Sequence, residues 1–114
     1  MAGDKIDLVF FETSTGNQPV LEWLKGLPRD DRHAVGQDLL RVQYRWPVGM
    51  PLCRNLGNGL WEVRSNLPSN RIARVIFCLD DGVLLALHAF IKKTQKTPKD
   101  DLDLALKRKK ELAP

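Results

Sequence analysis

Arg64, Arg74, His88 and Lys92, all within the stretch 61–93, have the types and spacing for phosphate chemistry. Displacement at a phosphate without a metal needs a group to take the proton of the attacking hydroxyl, cations to hold charge on the pentacoordinate phosphate, and an acid for the departing oxygen. Arg74 is the first candidate for phosphate stabilisation, because a guanidinium can grip a phosphate bidentately. Arg64 is a second clamp and Lys92 a third cation. His88 could act as acid or base, since histidine is the residue type that titrates near neutral pH without help; it reads equally as a mid-strand histidine hydrogen-bonded beneath the C-terminal helix. Glu62 is either a base or the ion-pair partner of the arginines. Phe90 is placed to stack on an unpaired base or to pack against the last helix. Lys93 points to the opposite side unless the strand has ended, which leaves it as an RNA-backbone contact.

These groups share a face only in the right register, since side chains alternate along a strand and a one-residue slip turns each of them over. The stretch WEVRSNLPSNRIARVIFCLDDGVLLALHAFIKK reads as three strands joined by two turns. Asp80-Asp81-Gly82 reads as a three-residue loop with a left-handed Gly. Leu79 then pairs with Val83, Arg74 with His88, Ile72 with Phe90 and Ile76 with Ala86. The first loop, Asn66-Leu67-Pro68-Ser69-Asn70, has odd length and keeps even-numbered positions together, so Arg64 lies beside Arg74. An even length would bury Arg64 without a partner. One face is then Trp61, Val63, Ala73, Val75, Phe77, Leu79, Val83, Leu85, Leu87, Ala89 and Ile91. The other carries Glu62, Arg64, Arg74, His88, Phe90 and Lys92, interleaved with Ile72, Ile76, Cys78, Leu84 and Ala86.

The rest of the chain must cover the apolar face. Ile6 to Phe11 reads as a short strand joining the sheet at an edge. Pro19 opens a helix with Val20, Trp23, Leu24 and Leu27 at helical spacing, ended by Gly26-Leu27-Pro28. A second helix runs from about Arg29 to Tyr44, with Val35, Leu39, Val42 and Trp46 as its stripe and Asp30 and Asp31 favourable in its first turn. These two helices supply the cover. The run 48–59, with Pro51 and several glycines, reads as a connecting loop. His33 falls on the polar side of the second helix. Thr97-Pro98-Lys99-Asp100 starts a last helix whose stripe is Leu102, Ala105 and Leu106. Its terminal Lys107, Arg108, Lys109 and Lys110 suit the negative end of the helix dipole, as a solvated or partner-contacting tail.

At 114 residues the chain is one domain, residues 1–114. The expected class is α+β: a small antiparallel-rich sheet of about four strands in the order β-α-α-β-β-β-α, with a helical hairpin on one face and a C-terminal helix. Hydrophobic content of 43% and charged content of 28% are those of a soluble globular protein. The acids within MAGDKIDLVFFET argue against a signal peptide, and no apolar run approaches the ~20 residues of a membrane span, so a cytoplasmic location without membrane contact is expected. Cys53 and Cys78 read as buried or half-buried thiols, and no His/Cys spacing suggests a metal or other cofactor. A net charge of +4 permits a polyanionic partner without proving one.

Several segments carry a resemblance across nearly the whole length: NQPVLEWLKGLP, GLWEVRS, RIARVIF and LLALHAFIKKTQKTP, the last followed by the helix DDLDLALKRKKEL. Together with the element order they resemble the phage-derived HigB-like branch of the RelE/ParE toxin superfamily. The resemblance implies a RelE-like fold and the toxin of a bacterial toxin–antitoxin pair, with a helix-turn-helix antitoxin as partner. In most such members the activity is that of an endoribonuclease cutting mRNA in the ribosomal A site. Arg74 matches the strand arginine such toxins carry, and Lys92 the basic position after the final strand. The superfamily also holds ParE-type gyrase inhibitors with the same fold and other chemistry, and an attenuated toxin acting only in an antitoxin complex is a further alternative.

Overall fold

The structure, a computed structural model, describes residues 5–112. Its elements are β1 (Leu8–Phe10), α1 (Pro19–Lys25), α2 (Arg29–Arg45), β2 (Cys53–Gly57), β3 (Leu60–Asn66), β4 (Ile72–Asp80), β5 (Val83–Ile91) and α3 (Lys99–Lys110). The sheet has five strands in the order β1-β5-β4-β3-β2, antiparallel except where β1 runs parallel to β5 at the edge.

The mixed α+β class and the edge position of the first strand agree with the sequence reading; the strand count does not. The run 48–59 contains β2, paired to β3 through Cys53↔Val63, Arg54↔Glu62 and Asn55↔Trp61. Its signal is Asn58-Gly59, whose φ values of 55° and 78° make the left-handed pair of a type I′ turn.

The first loop keeps even positions together, and Arg64 pairs directly with Arg74. The second turn differs from expectation. Asp81 and Gly82 both have positive φ, at 49° and 80°, so the loop has two residues and Asp80 pairs with Val83 while Leu79 pairs with Leu84. Before the strands end, the ladder shifts again between Phe77↔Ala86 and Ile76↔His88, leaving Leu87 as an extra residue on β5. This β-bulge turns the strand over once more. Beyond it Arg74 pairs with Phe90, not His88; Ala73 pairs with Ile91, and Ile72 accepts from the Lys92 backbone N–H instead of facing Phe90.

Two opposed one-residue shifts leave the even side chains of 88–92 on the face expected for them and reverse those of 83–87. Leu84 and Ala86 pack under the helices α1 and α2 with Val63, Val75, Phe77 and Ala89. Leu85 and Leu87, expected there, pack instead on the opposite face with Ile76, Cys78 and Ala105 of α3.

Under the helical hairpin, Trp46 meets Trp61 and Phe77 edge-on, with ring centroids 5.0 and 5.3 Å away. Val35, Leu39 and Val42 of α2 are buried as the helical spacing predicts. Asp31 is also buried, because it holds the β3–β4 loop: its carboxylate accepts from the Ser69 hydroxyl at 2.8 Å and from Arg71 at 3.1 Å. These bonds, the Ser69 hydroxyl first, keep the Asp31 carboxyl below its usual range despite its burial.

Candidate functional site

The face beneath α3 begins with a buried ion pair. Arg74 and Glu62 are each 3% exposed, on neighbouring strands, and their charged groups approach to 3.3 Å. Such a pair needs further hydrogen bonds to offset its desolvation. The segment between β5 and α3 supplies them. Arg74 donates to the Gln95 carbonyl at 3.0 Å and to the Thr97 hydroxyl at 3.2 Å, and Thr97 in turn donates to Glu62 at 2.8 Å. Among the described residues, the Arg74 Nε is the buried side-chain group that finds no acceptor. Of the readings open for Glu62, its bonds are those of the ion-pair partner.

Arg64 is exposed beside this pair. Lys92 is half-buried just past β5, with its amine donating to the Gln95 side chain at 3.2 Å. Partial desolvation, followed by the charges of Arg64 and Arg74, holds the Lys92 ammonium below the usual lysine range, with Glu62 pulling the other way. The three cations therefore lie within electrostatic reach of one another at one end of the sheet. Lys93 is exposed and, with Lys92 and Gln95, borders a shallow depression beside Asn70 and Arg71 of the β3–β4 loop.

His88 is half-buried one step further along, diagonal to Arg74. Its Nε2 lies 2.6 Å from Oδ1 of Asp101, in the first turn of α3. With Nε2–H donating to that carboxylate, the lone pair is on Nδ1. Phe90 stacks on the imidazole, with centroids 5.5 Å apart and planes inclined by 21°. His88 is thus hydrogen-bonded beneath the last helix, as one of its two readings expects.

Sequence reasoning missed Gln95, Thr97, Asp101 and Arg108. Arg108, counted within a solvated basic tail, turns inward. It donates to the Leu87 carbonyl at 2.7 Å, capping the bulge, and its guanidinium lies 5.6 Å from the centre of the Phe11 ring. The bulge, and the face that His88 presents, are pinned from α3. The spacing Asp101–Arg108, two helical turns on the Ala105 side, was the available signal.

Cys53 and Cys78 are buried free thiols, and burial pushes the Cys53 thiol up to about 11. Among the described residues no helix is long and apolar enough to cross a membrane.

No curated protein matches this sequence. The family model described as phage derived protein Gp49-like (DUF891) matches residues 22–110, which takes in all of the sheet except β1, and α3 entire. Since that match spans well over half of the sequence, the chain belongs to the phage-derived Gp49-like family, a RelE/toxin-like family.

Proposed function

We propose that the chain is the toxin of a toxin–antitoxin pair, of the HigB-like kind, acting as a ribosome-dependent mRNA endoribonuclease that inhibits translation. The observation that carries this reading is the gathering of Arg64, Arg74 and Lys92 at one end of the sheet beside an aspartate-held histidine. In the proposed reaction the 2′ oxygen of mRNA attacks the adjacent phosphorus. The O2′–P bond forms, the P–O5′ bond breaks, and the products are a 2′,3′-cyclic phosphate and a 5′-hydroxyl end. Arg64 and Lys92, the accessible cations, hold the phosphate oxygens as charge grows on them. Arg74, tied into Glu62, Gln95 and Thr97, acts from beneath as a fixed positive charge. His88 takes the 2′ proton on its Nδ1 lone pair, and the Lys92 ammonium gives a proton to the departing 5′ oxygen. Phe90 stacks behind the imidazole and Lys93 meets flanking RNA backbone. No cofactor takes part, and a helix-turn-helix antitoxin neutralises the toxin in the cytoplasm.

The burial of Arg74 at 3% exposure favours a second reading, a non-catalytic inhibitor of the ParE type acting by protein contact. Expression of the chain in bacteria with mapping of mRNA 5′ ends separates the two. New ends that fall by roughly 100-fold in Arg64→Ala support the nuclease. Growth arrest with a DNA-damage response and no new ends supports the inhibitor.

A further inference from the structure

α3 holds β5 at two consecutive residues, once by the backbone and once by a side chain. Asp101 and Arg108 stand two helical turns apart, about 10 Å along the axis, on the side where Ala105 is fully buried. Asp101 meets the His88 ring at 2.6 Å, and Arg108 donates to the Leu87 carbonyl at 2.7 Å. That carbonyl belongs to the peptide unit leading into His88.

Leu87 is where β5 loses its ordinary partners. Pairing with β1 ends at Phe10↔Ala86, with the Phe11 amide donating to the Ala86 carbonyl at 2.9 Å. On the other side the ladder steps from Phe77↔Ala86 to Ile76↔His88 and passes Leu87 over. Without that bulge Leu87 would face Ile76 and His88 would face Val75, turning the imidazole in among the apolar side chains under α1 and α2. A carbonyl left out of a ladder on a buried residue needs another donor. Arg108, with its guanidinium over the Phe11 ring, supplies it.

We propose that Arg108 and Asp101 are positioning residues for His88, a two-point clamp carried on one helix. Arg108 fixes the bulge, and with it the face from which the imidazole projects. Asp101 then holds Nε2 while Phe90 covers one side of the ring, which leaves Nδ1 as the nitrogen with a lone pair to offer. The clamp has an order of dependence: the state of the ring depends on Arg108, whereas the bulge does not depend on Asp101. A helix that merely packs on the sheet has no such asymmetry. The consequence for proton transfer rests on the nuclease reading; the state of the ring does not.

The test uses the full-length chain with ¹⁵N-labelled histidine, observed about two pH units above the ordinary histidine pKa of ~6.5, where the neutral tautomer and the exchange of the ring N–H are both read. The sequence has two histidines, and His33, exposed on α2, is the internal reference. His88 is expected in one tautomer, with its proton on Nε2 and protected from exchange. Arg108→Met is expected to return His88 to the tautomer mixture of His33 and to quicken amide exchange at 86–89, with the signals of Val63, Val75 and Phe77 in place. Asp101→Ala is expected to free the ring in the same way and leave 86–89 slow. Arg108→Lys, which keeps a donor, is expected to restore most of the parental ring signal. New mRNA ends are expected to fall roughly tenfold or more in Arg108→Met and to recover in Arg108→Lys. An unaltered His88 tautomer in folded Arg108→Met, quickened exchange at 86–89 in Asp101→Ala, or no recovery of the ring in Arg108→Lys would each overturn the proposal. The last two remain decisive if Arg108→Met does not fold. A parent that cuts no RNA overturns the nuclease reading alone, and the ring spectra still decide the clamp.

Discussion

On the face under α1 and α2, Val63, Val75 and Phe77 are sealed at 1% exposure among other apolar side chains. The face under α3 buries Glu62 and Arg74 almost as fully and seats a histidine–aspartate pair beside them. Burial is similar on the two sides, yet its energetics differ. The first face gains from apolar area and close packing, at about 25 cal/mol per Å² removed from water. The second gains little from its charges, because their attraction mainly offsets desolvation. What the second face obtains is orientation: fixed charges and a fixed imidazole at the edge of an open cationic surface.

The largest effect that sharpens this contrast belongs to the packed face. Phe77→Ala should lower the free energy of unfolding in urea by about 3–5 kcal/mol, because it empties the site against Trp46. A loss under 1 kcal/mol would mean that this face is not the stabilising one. The ion pair comes next. Arg74→Met alone should cost about 3 kcal/mol by leaving Glu62 buried and unpaired, whereas Glu62→Leu combined with Arg74→Met should cost less than either single change. If the double variant costs as much as the two single changes added together, Arg74 and Glu62 act independently and the contrast fails.

Arg108→Ala should cost about 1–3 kcal/mol, since the bulge carbonyl of Leu87 loses its donor. Amide exchange at 86–89 should quicken more than in the rest of β5; uniform quickening would deny the bulge a local anchor. The smallest effect concerns acid. The Asp31 carboxyl is lowered in the fold, so its contribution is complete above the ordinary carboxylate value near pH 4 and is lost as pH falls through the lower, folded value. As pH falls below about 4, stability should therefore drop less steeply in Asp31→Asn than in the parent, and parallel curves would contradict the Ser69 and Arg71 bonds.

The helices were readable because Val35, Leu39 and Val42 repeat at helical spacing and Pro19 marks a start. The sheet was harder, and the two errors in it share a cause. Asn58-Gly59 and Asp81-Gly82 are both type I′ dipeptides, and both φ values at each are positive. Taking the first as part of a loop lost β2, and widening the second to three residues set the β4–β5 pairing off by one. The bulge at Leu87 carries no mark in sequence, because Leu-Leu-Ala-Leu-His is an ordinary strand composition; it is fixed by a side chain from α3. Its shift compensates the turn, which is why Arg74, His88, Phe90 and Lys92 share a face although Arg74 and His88 are not partners. Asp101 and Thr97 were hidden because their roles depend on how α3 returns over the sheet, a long-range arrangement that no local spacing encodes.

The central proposal is that Arg64 and the half-buried Lys92, beside the buried pair, act on RNA phosphate. The most direct measurement is mRNA 5′-end mapping after brief expression of the parent, Arg64→Ala and Lys92→Ala, with soluble, folded protein verified in each. The account predicts new 5′-hydroxyl ends in the parent and their loss by roughly 100-fold in both variants. Undiminished ends in both variants, or arrest of growth by the parent with no new ends at all, would contradict it.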